Sequence, residues 1–170
     1  MTIVELNGAD VDLHLDALAQ LLLDAHASGM ALGLAAPLTF DAARAAYAAT
    51  AKRLSDDRIL LAALDGDTVV GAVQLSRAEA GNGRHRAEVQ RLVVRDDKRG
   101  QGVGRALMDA VVEEARKRDL KLLWLTTHAD TDADRVYERL GWSRAGVIPD
   151  YAELPNGELV ANAFFYLTLR

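Results

Sequence analysis

The order of its apolar segments predicts that this chain folds as an α/β domain with a mixed sheet. Three observations carry that expectation. Two strand-like runs, residues 59–64 and 68–75, flank Asp65-Gly66-Asp67, a hairpin signal. A strand–turn–helix–strand unit follows, in which Leu92-Val93-Val94 leads through Gly100, Gly102 and Gly104 into an amphipathic segment. Finally, 170 residues that are 50% hydrophobic and 26% charged suit one domain spanning residues 1–170.

Residues 2–6 read as the first strand. From residue 10 to about 27, Val11, Leu15, Leu18, Leu21, Leu22 and Ala25 recur at helical spacing and predict one helix. Gly29, Gly33 and Pro37 then punctuate a loop that is unusually apolar for a surface connection, with Met30, Leu32, Leu34 and Ala35. Plain packing explains such a loop, and so does a ligand pocket. Thr39 is placed as the N-cap of an alanine-rich helix reaching about residue 54. After the hairpin, Gly81-Asn82-Gly83 marks a turn before a strand over 86–94.

The helix after the glycine turn is expected over 101–118, with Val103, Leu107, Ala110 and Val111 inward. Glu113–Lys117 and Glu114–Arg118 are spaced to pair along its outer surface. A strand over 121–127, a helix over 131–140 ending at Gly141, and a strand over 142–148 come next. Leu154-Pro155-Asn156-Gly157 makes a turn before the last strand, 159–169.

Composition narrows the function. The absence of cysteine excludes disulfides, thiolate metal sites and a cysteine nucleophile. A net charge of −5 argues against a general nucleic-acid binder. No apolar run approaches the roughly 20 residues of a membrane span, and the start lacks a signal-peptide pattern. A cytoplasmic protein with neither nucleic-acid nor membrane partner is expected. His14, His26 and His85 are too scattered for a metal site, and no G-x-S-x-G elbow is present.

The segment Arg99-Gly100-Gln101-Gly102-Val103-Gly104 bares backbone N–H groups where a strand turns into a helix, so it is suited to an anion. Lys98, Arg99 and Arg105 add side-chain charge. It lacks the Lys-Ser/Thr end of a P-loop, and its alternating glycines lack dinucleotide spacing. A glycine-rich turn without a ligand is the alternative.

These residues resemble a known superfamily. Arg99-x-x-Gly102-x-Gly104 is similar to the acetyl-CoA motif of the GNAT N-acetyltransferases. Glu88-Val89-Gln90-Arg91-Leu92-Val93-Val94 resembles their central strand, and Val136-Tyr137-Glu138-Arg139-Leu140-Gly141-Trp142 a late family segment. A narrower resemblance, to the tabtoxin-resistance acetyltransferases, lies in residues 85–90, the loop over 28–34, and Gly146-x-Ile148-Pro149-x-Tyr151-Ala152 with Pro155-Asn156-Gly157. The implied fold is a central mixed, mostly antiparallel sheet of six to seven strands with helices on both faces.

The resemblance implies an acetyl-CoA-dependent N-acetyltransferase acting by direct attack of a small molecule's primary amine on the bound thioester, the acceptor being a toxin or antibiotic in the narrower family. Gly100, Gln101, Gly102, Val103 and Gly104 would cradle the pyrophosphate, with Arg99 and Arg105 beside it. The backbone of Leu92, Val93 and Val94 would pair with the pantetheine, and the Val94 N–H would face the thioester oxygen. Glu88 is the implied general base, placed by alternation on one strand face with Gln90, Leu92 and Val94. Without the resemblance it reads as a solvated carboxylate pairing with Arg86 or Arg91. Tyr137 is the implied acid for the departing thiolate, although Ala133, Val136, Tyr137 and Leu140 also read as a packed helix stripe.

Where many relatives carry an asparagine that contacts the cofactor, this chain has Asp130, which cannot donate. Thr126 stands where tabtoxin-type relatives have an acid, and His128 is nearby. Ser28, Leu32, Leu34, Gln90, Thr126, His128 and Tyr151 are the expected substrate-pocket residues. Two other functions fit the same motifs: acetylation of a protein or peptide, and a non-catalytic acetyl-CoA-binding module. A homodimer is left open.

Overall fold

The computed structural model describes all residues except Ala31, Ala35, Ala36, Pro155 and Arg170, and all their side chains except those of Asp132 and Ala133. The expectations placed on Ala35, Pro155 and the Ala133 side chain therefore lie outside the described residues.

Seven strands form one sheet: β1 (Thr2–Glu5), β2 (Arg58–Asp65), β3 (Thr68–Arg77), β4 (Arg86–Val94), β5 (Leu122–His128), β6 (Ser143–Glu153) and β7 (Leu159–Thr168). Their spatial order is β1-β2-β3-β4-β5-β7-β6. Every neighbouring pair is antiparallel except β4–β5, so the sheet is mixed and mostly antiparallel, as expected. The hairpin turns at Gly66, whose φ of +60° is a left-handed conformation natural to glycine.

Among the described residues, five α-helices cover the two faces: α1 (Gly8–Leu13), α2 (Leu15–Ala27), α3 (Phe40–Ala51), α4 (Val103–Lys117) and α5 (Asp132–Arg139). One core cluster joins Val103, Leu107, Met108, Val111 and Ala115 of α4 to Val73, Leu75, Ala87, Val89, Leu123, Leu125 and Phe165 of the sheet. A second, on the opposite face, joins Leu18, Leu21 and Leu22 of α2 and Ala43 and Tyr47 of α3 to Leu60, Ala62, Ala72 and Val93.

Several elements depart from the sequence reading. The helix expected over 10–27 is two helices broken at His14. It starts earlier because Asn7 and Asp10 form a reciprocal capping box, both bonds 3.0 Å. Apolar spacing alone does not register such a break. Thr39 caps α3 as expected, its hydroxyl accepting from the Ala42 N–H at 3.2 Å. On α4, Lys117 pairs with Glu114 at 2.6 Å and Arg116 with Glu113, so the Glu113–Lys117 bridge is replaced by i,i+3 pairs. Glu114–Arg118 does form. β6 runs on to Glu153 and so includes Tyr151. On α5, Val136 is exposed rather than packed, whereas Tyr137 and Leu140 rest on the α4-side cluster.

Candidate active site

β4 and β5 pair only at Arg86–Leu122, Ala87–Leu123 and Glu88–Trp124. Beyond Glu88 the two strands part, although β4 continues to Val94 and β5 to His128. The split leaves one backbone edge of residues 89–94 without a strand neighbour among the described residues, a geometry suited to an extended ligand.

A bulge sits in the same stretch. Arg91 takes a φ of +51°, and the β3–β4 register shifts between Ala72 and Gln74. Glu88 and Gln90 consequently share the sheet face of Ser76 and Gln74, whereas Leu92 and Val94 turn to the α4 cluster and Val93 to the other. Strict alternation over residues 88–94 is thus corrected: an inserted residue reverses the facing of everything after it.

Glu88 lines a cavity of about 450 Å³ with Arg58, Ser76, Gln90, Trp124 and Phe164, among others. Its Oε2 accepts from Gln90 Nε2 at 2.6 Å, and neither Arg86 nor Arg91 is its partner. Gln90 Oε1 in turn accepts from Gln74 Nε2 at 3.1 Å and Ser76 Oγ at 3.3 Å, which turns its amide nitrogen toward Glu88. Gln74 and Ser76 are buried. Desolvation raises the Glu88 pKa above the ordinary glutamate value, and the Gln90 hydrogen bond offsets part of the rise.

The glycine turn leads into α4 with Gly102 as N-cap in the left-handed region, φ +85°, and no side-chain cap. Gly100, at φ +72°, is also left-handed. The first helical bond runs from the Ala106 N–H to the Gly102 carbonyl, 3.0 Å, and the N–H groups of residues 100–105 have no partner among the described residues. A Cβ at Gly100 or Gly102 would meet no protein atom within 4 Å, and one at Gly104 only Val94 at 3.7 Å. The space above these glycines is open, and a row of free donors at a helix N-terminus suits an anion.

The side-chain charge expected there is already matched. Arg99 pairs with Asp96 at 2.8 Å, Lys98 with Asp65 at 2.6 Å and Arg105 with Asp109 at 3.6 Å. Gln101 donates through its side chain to the Asp97 carbonyl at 2.7 Å. The backbone, not net positive charge, is what the turn offers an anion.

Tyr137 lies across the sheet from Glu88. Its ring packs against Phe165 and Trp142, centroids 5.6 and 6.3 Å away, and burial pushes its pKa up to about 12. Thr126 and His128 follow Trp124 on the Glu88 face of β5, and burial holds the His128 pKa below the usual histidine value. Tyr151 meets the cavity-lining Phe164 edge-on at 5.0 Å. Asp130, at φ +60°, points an exposed carboxylate 3.6 Å from Arg144.

Ser28, Leu32 and Leu34 do not reach this cavity. Ser28 donates to the Asp24 carbonyl at the end of α2, and Leu32 and Leu34 pack on the second core cluster. Conversely, the sequence reading passed over Arg58, Gln74, Ser76, Trp124, Phe164 and Tyr166. Alternation along β5 and β7 carried the aromatic three. Only strand pairing brings the others to Glu88.

Comparison with known proteins agrees with this geometry. Residues 20–142 match the Acetyltransferase (GNAT) family. A stretch of 67 residues is 34% identical to the [Ribosomal protein bS18]-alanine N-acetyltransferase of Escherichia coli K12, and covers 39% of this chain and 45% of that enzyme. Of solved structures, the ribosomal-protein-alanine N-acetyltransferase of Brucella melitensis superimposes with a TM-score of 0.81 at 23% identity, covering 99% of this chain and 100% of that one. An acetyltransferase from Salmonella typhimurium, solved with its cofactor acetyl-CoA, gives 0.79 at 19% identity over 99% and 94%. The fold agrees with these structures, and the family match over residues 20–142 places the chain in the Acetyltransferase (GNAT) family.

Proposed function

We propose that the chain moves the acetyl group to a primary amine of a small molecule, by direct attack of the amine on the bound thioester. The observation that carries this reading is that β4–β5 pairing stops at Glu88, which sets a partly desolvated carboxylate at the mouth of the parallel junction between these two strands. Acetyl-CoA, when bound, supplies an electrophilic thioester carbonyl. Gly100, Gln101, Gly102, Val103 and Gly104 hold its pyrophosphate through their free N–H groups, with Arg99 exchanging Asp96 for phosphate. The free edge of Leu92, Val93 and Val94 holds the pantetheine.

Glu88, its pKa raised by desolvation above the ordinary glutamate value, takes a proton from the incoming ammonium. Tyr137, protonated at any physiological pH, gives a proton to the departing sulfur from the other face. Thr126, His128 and Tyr151 flank the acceptor. Acceptors of the tabtoxin-resistance type, a toxin or antibiotic amine in the cytoplasm, suit a cavity of about 450 Å³ that opens to solvent. The 34% identity to a ribosomal-protein acetyltransferase favours a second reading, a peptide N-terminus.

Free-thiol release from acetyl-CoA across small amines and peptides, run beside thermal stabilisation by acetyl-CoA, tests both readings. Small amines turning over and peptides not is the expected result. Turnover of peptides alone selects the second reading, and absence of stabilisation by acetyl-CoA removes both.

A further inference from the structure

We propose that Arg58 forms an anion subsite in the Glu88 cavity, so that the acceptor is a small amine that also bears a carboxylate. This rests on the acetyl-transfer reading above and narrows its substrate. Strand register places Arg58 opposite Ser76, Ser76 opposite Glu88, Glu88 opposite Trp124, and Trp124 opposite Tyr166. One cross-strand row thus sets a guanidinium and a carboxylate two strands apart on one face, about 10 Å between Cα atoms. All five of these residues line the same cavity.

Arg58 is half-buried and has no carboxylate within 4 Å among the described residues. Its acidic neighbour Glu79 is engaged by Arg53 at 3.6 Å, while Arg53 and Arg91 press on Arg58 as like charges. Asp57, the next residue, is taken by Arg77 and Arg84. Arg86, exposed, adds a second guanidinium to the cavity wall with no ion pair of its own among the described residues.

A partly desolvated arginine that cannot lose its proton gains most from an anion brought to it. The row has the polarity of an amino acid reversed: the ammonium end meets Glu88 and the anionic end meets Arg58. The stacked Trp124–Phe164 pair, centroids 6.3 Å and planes 6° apart, floors the neighbouring part of the cavity for the connecting carbons.

The test is calorimetry on the coenzyme A-saturated protein with two matched pairs, γ-aminobutyrate against γ-aminobutyramide and ε-aminocaproate against its amide. In the wild type at least one acid is expected to bind about tenfold more tightly than its amide, the scale of one charge-assisted hydrogen bond. Arg58→Gln removes that preference and Arg58→Lys keeps part of it. Equal binding of acid and amide, or a preference that survives Arg58→Gln, overturns the proposal. A wild type that acetyl-CoA stabilises but that shows no such preference loses the anion subsite alone. One that acetyl-CoA does not stabilise loses the acetyl-transfer reading as well.

Discussion

Gln90 Nε2 donates to Glu88 Oε2 at 2.6 Å, and Gln74 and Ser76 hold the far end of the same amide. The glutamine is thereby oriented by buried neighbours on β3, and Glu88 Oε1 is left without a donor among the described residues. The opposing influences on Glu88 are desolvation, which favours the neutral acid, and this hydrogen bond, which favours the carboxylate.

Glu88→Gln is expected to lower kcat/KM by roughly a hundred- to ten-thousandfold at neutral pH while acetyl-CoA still raises Tm. The stability effect has a definite sign. A carboxyl whose folded pKa is raised loses stability as pH rises from the unfolded value through the folded one, so the variant should exceed the wild type in Tm at neutral pH. The two should converge below the ordinary glutamate pKa. Thermal melts from pH 3.5 to 8 check this, and a variant less stable at neutral pH contradicts it.

Gln90→Leu removes the bond that lowers the Glu88 pKa, so the acidic limb of the kcat/KM profile should move to higher pH. Gln74→Leu should move it in the same direction by less, since Gln74 acts only through the orientation of Gln90. A pH–rate profile that does not shift in either variant removes the relay.

Tyr137→Phe keeps the ring against Phe165 and Trp142 and removes only the proton. The expected outcome is a fall in kcat of about a hundredfold, with stabilisation by acetyl-CoA intact. Unchanged turnover would assign Tyr137 to packing.

Gly102→Asn and Gly102→Asp both suit a left-handed φ better than most residues, so either should cost no more than about 1–2 kcal/mol in stability. Both place atoms in the space above the turn, and the aspartate adds a negative charge facing phosphate. Acetyl-CoA should stabilise the asparagine variant weakly and the aspartate variant not at all, as read by thermal shift.

Gly71 controls how closely α4 approaches the sheet. A Cβ there would stand 3.0 Å from the Val93 carbonyl oxygen, 3.1 Å from Leu107 and 3.2 Å from Val103. Gly71→Ala is therefore expected to destabilise by about 1–3 kcal/mol in denaturant unfolding, since backbone and two core side chains must give way.

The elements of the second half were legible in the sequence because each rests on local chemistry. The apolar run of β4, the glycine turn and the amphipathic stripe of α4 are short-range patterns, and the strand over Arg86–Val94 appears with the expected bounds. Asn7 with Asp10 was an equally local signal, and it moves the first helix start. The facing of Leu92 and Val94 was not legible, because alternation assumes an unbroken ladder and the extra residue at Arg91 is visible only against β3.

By itself, then, the sequence determined the proposed donor side of this protein: a glycine turn suited to an anion, followed by its helix and flanked by the strand that bears Glu88. Those features follow one another directly from Arg86 to Lys117 and owe their form to backbone conformation. Only the tertiary structure brought together the residues of the proposed acceptor side. Arg58, Ser76, Glu88, Trp124 and Tyr166 are scattered over more than a hundred positions and meet because five strands align in one row. Pairing register across a sheet sums many weak contacts between distant segments, and no local spacing encodes it.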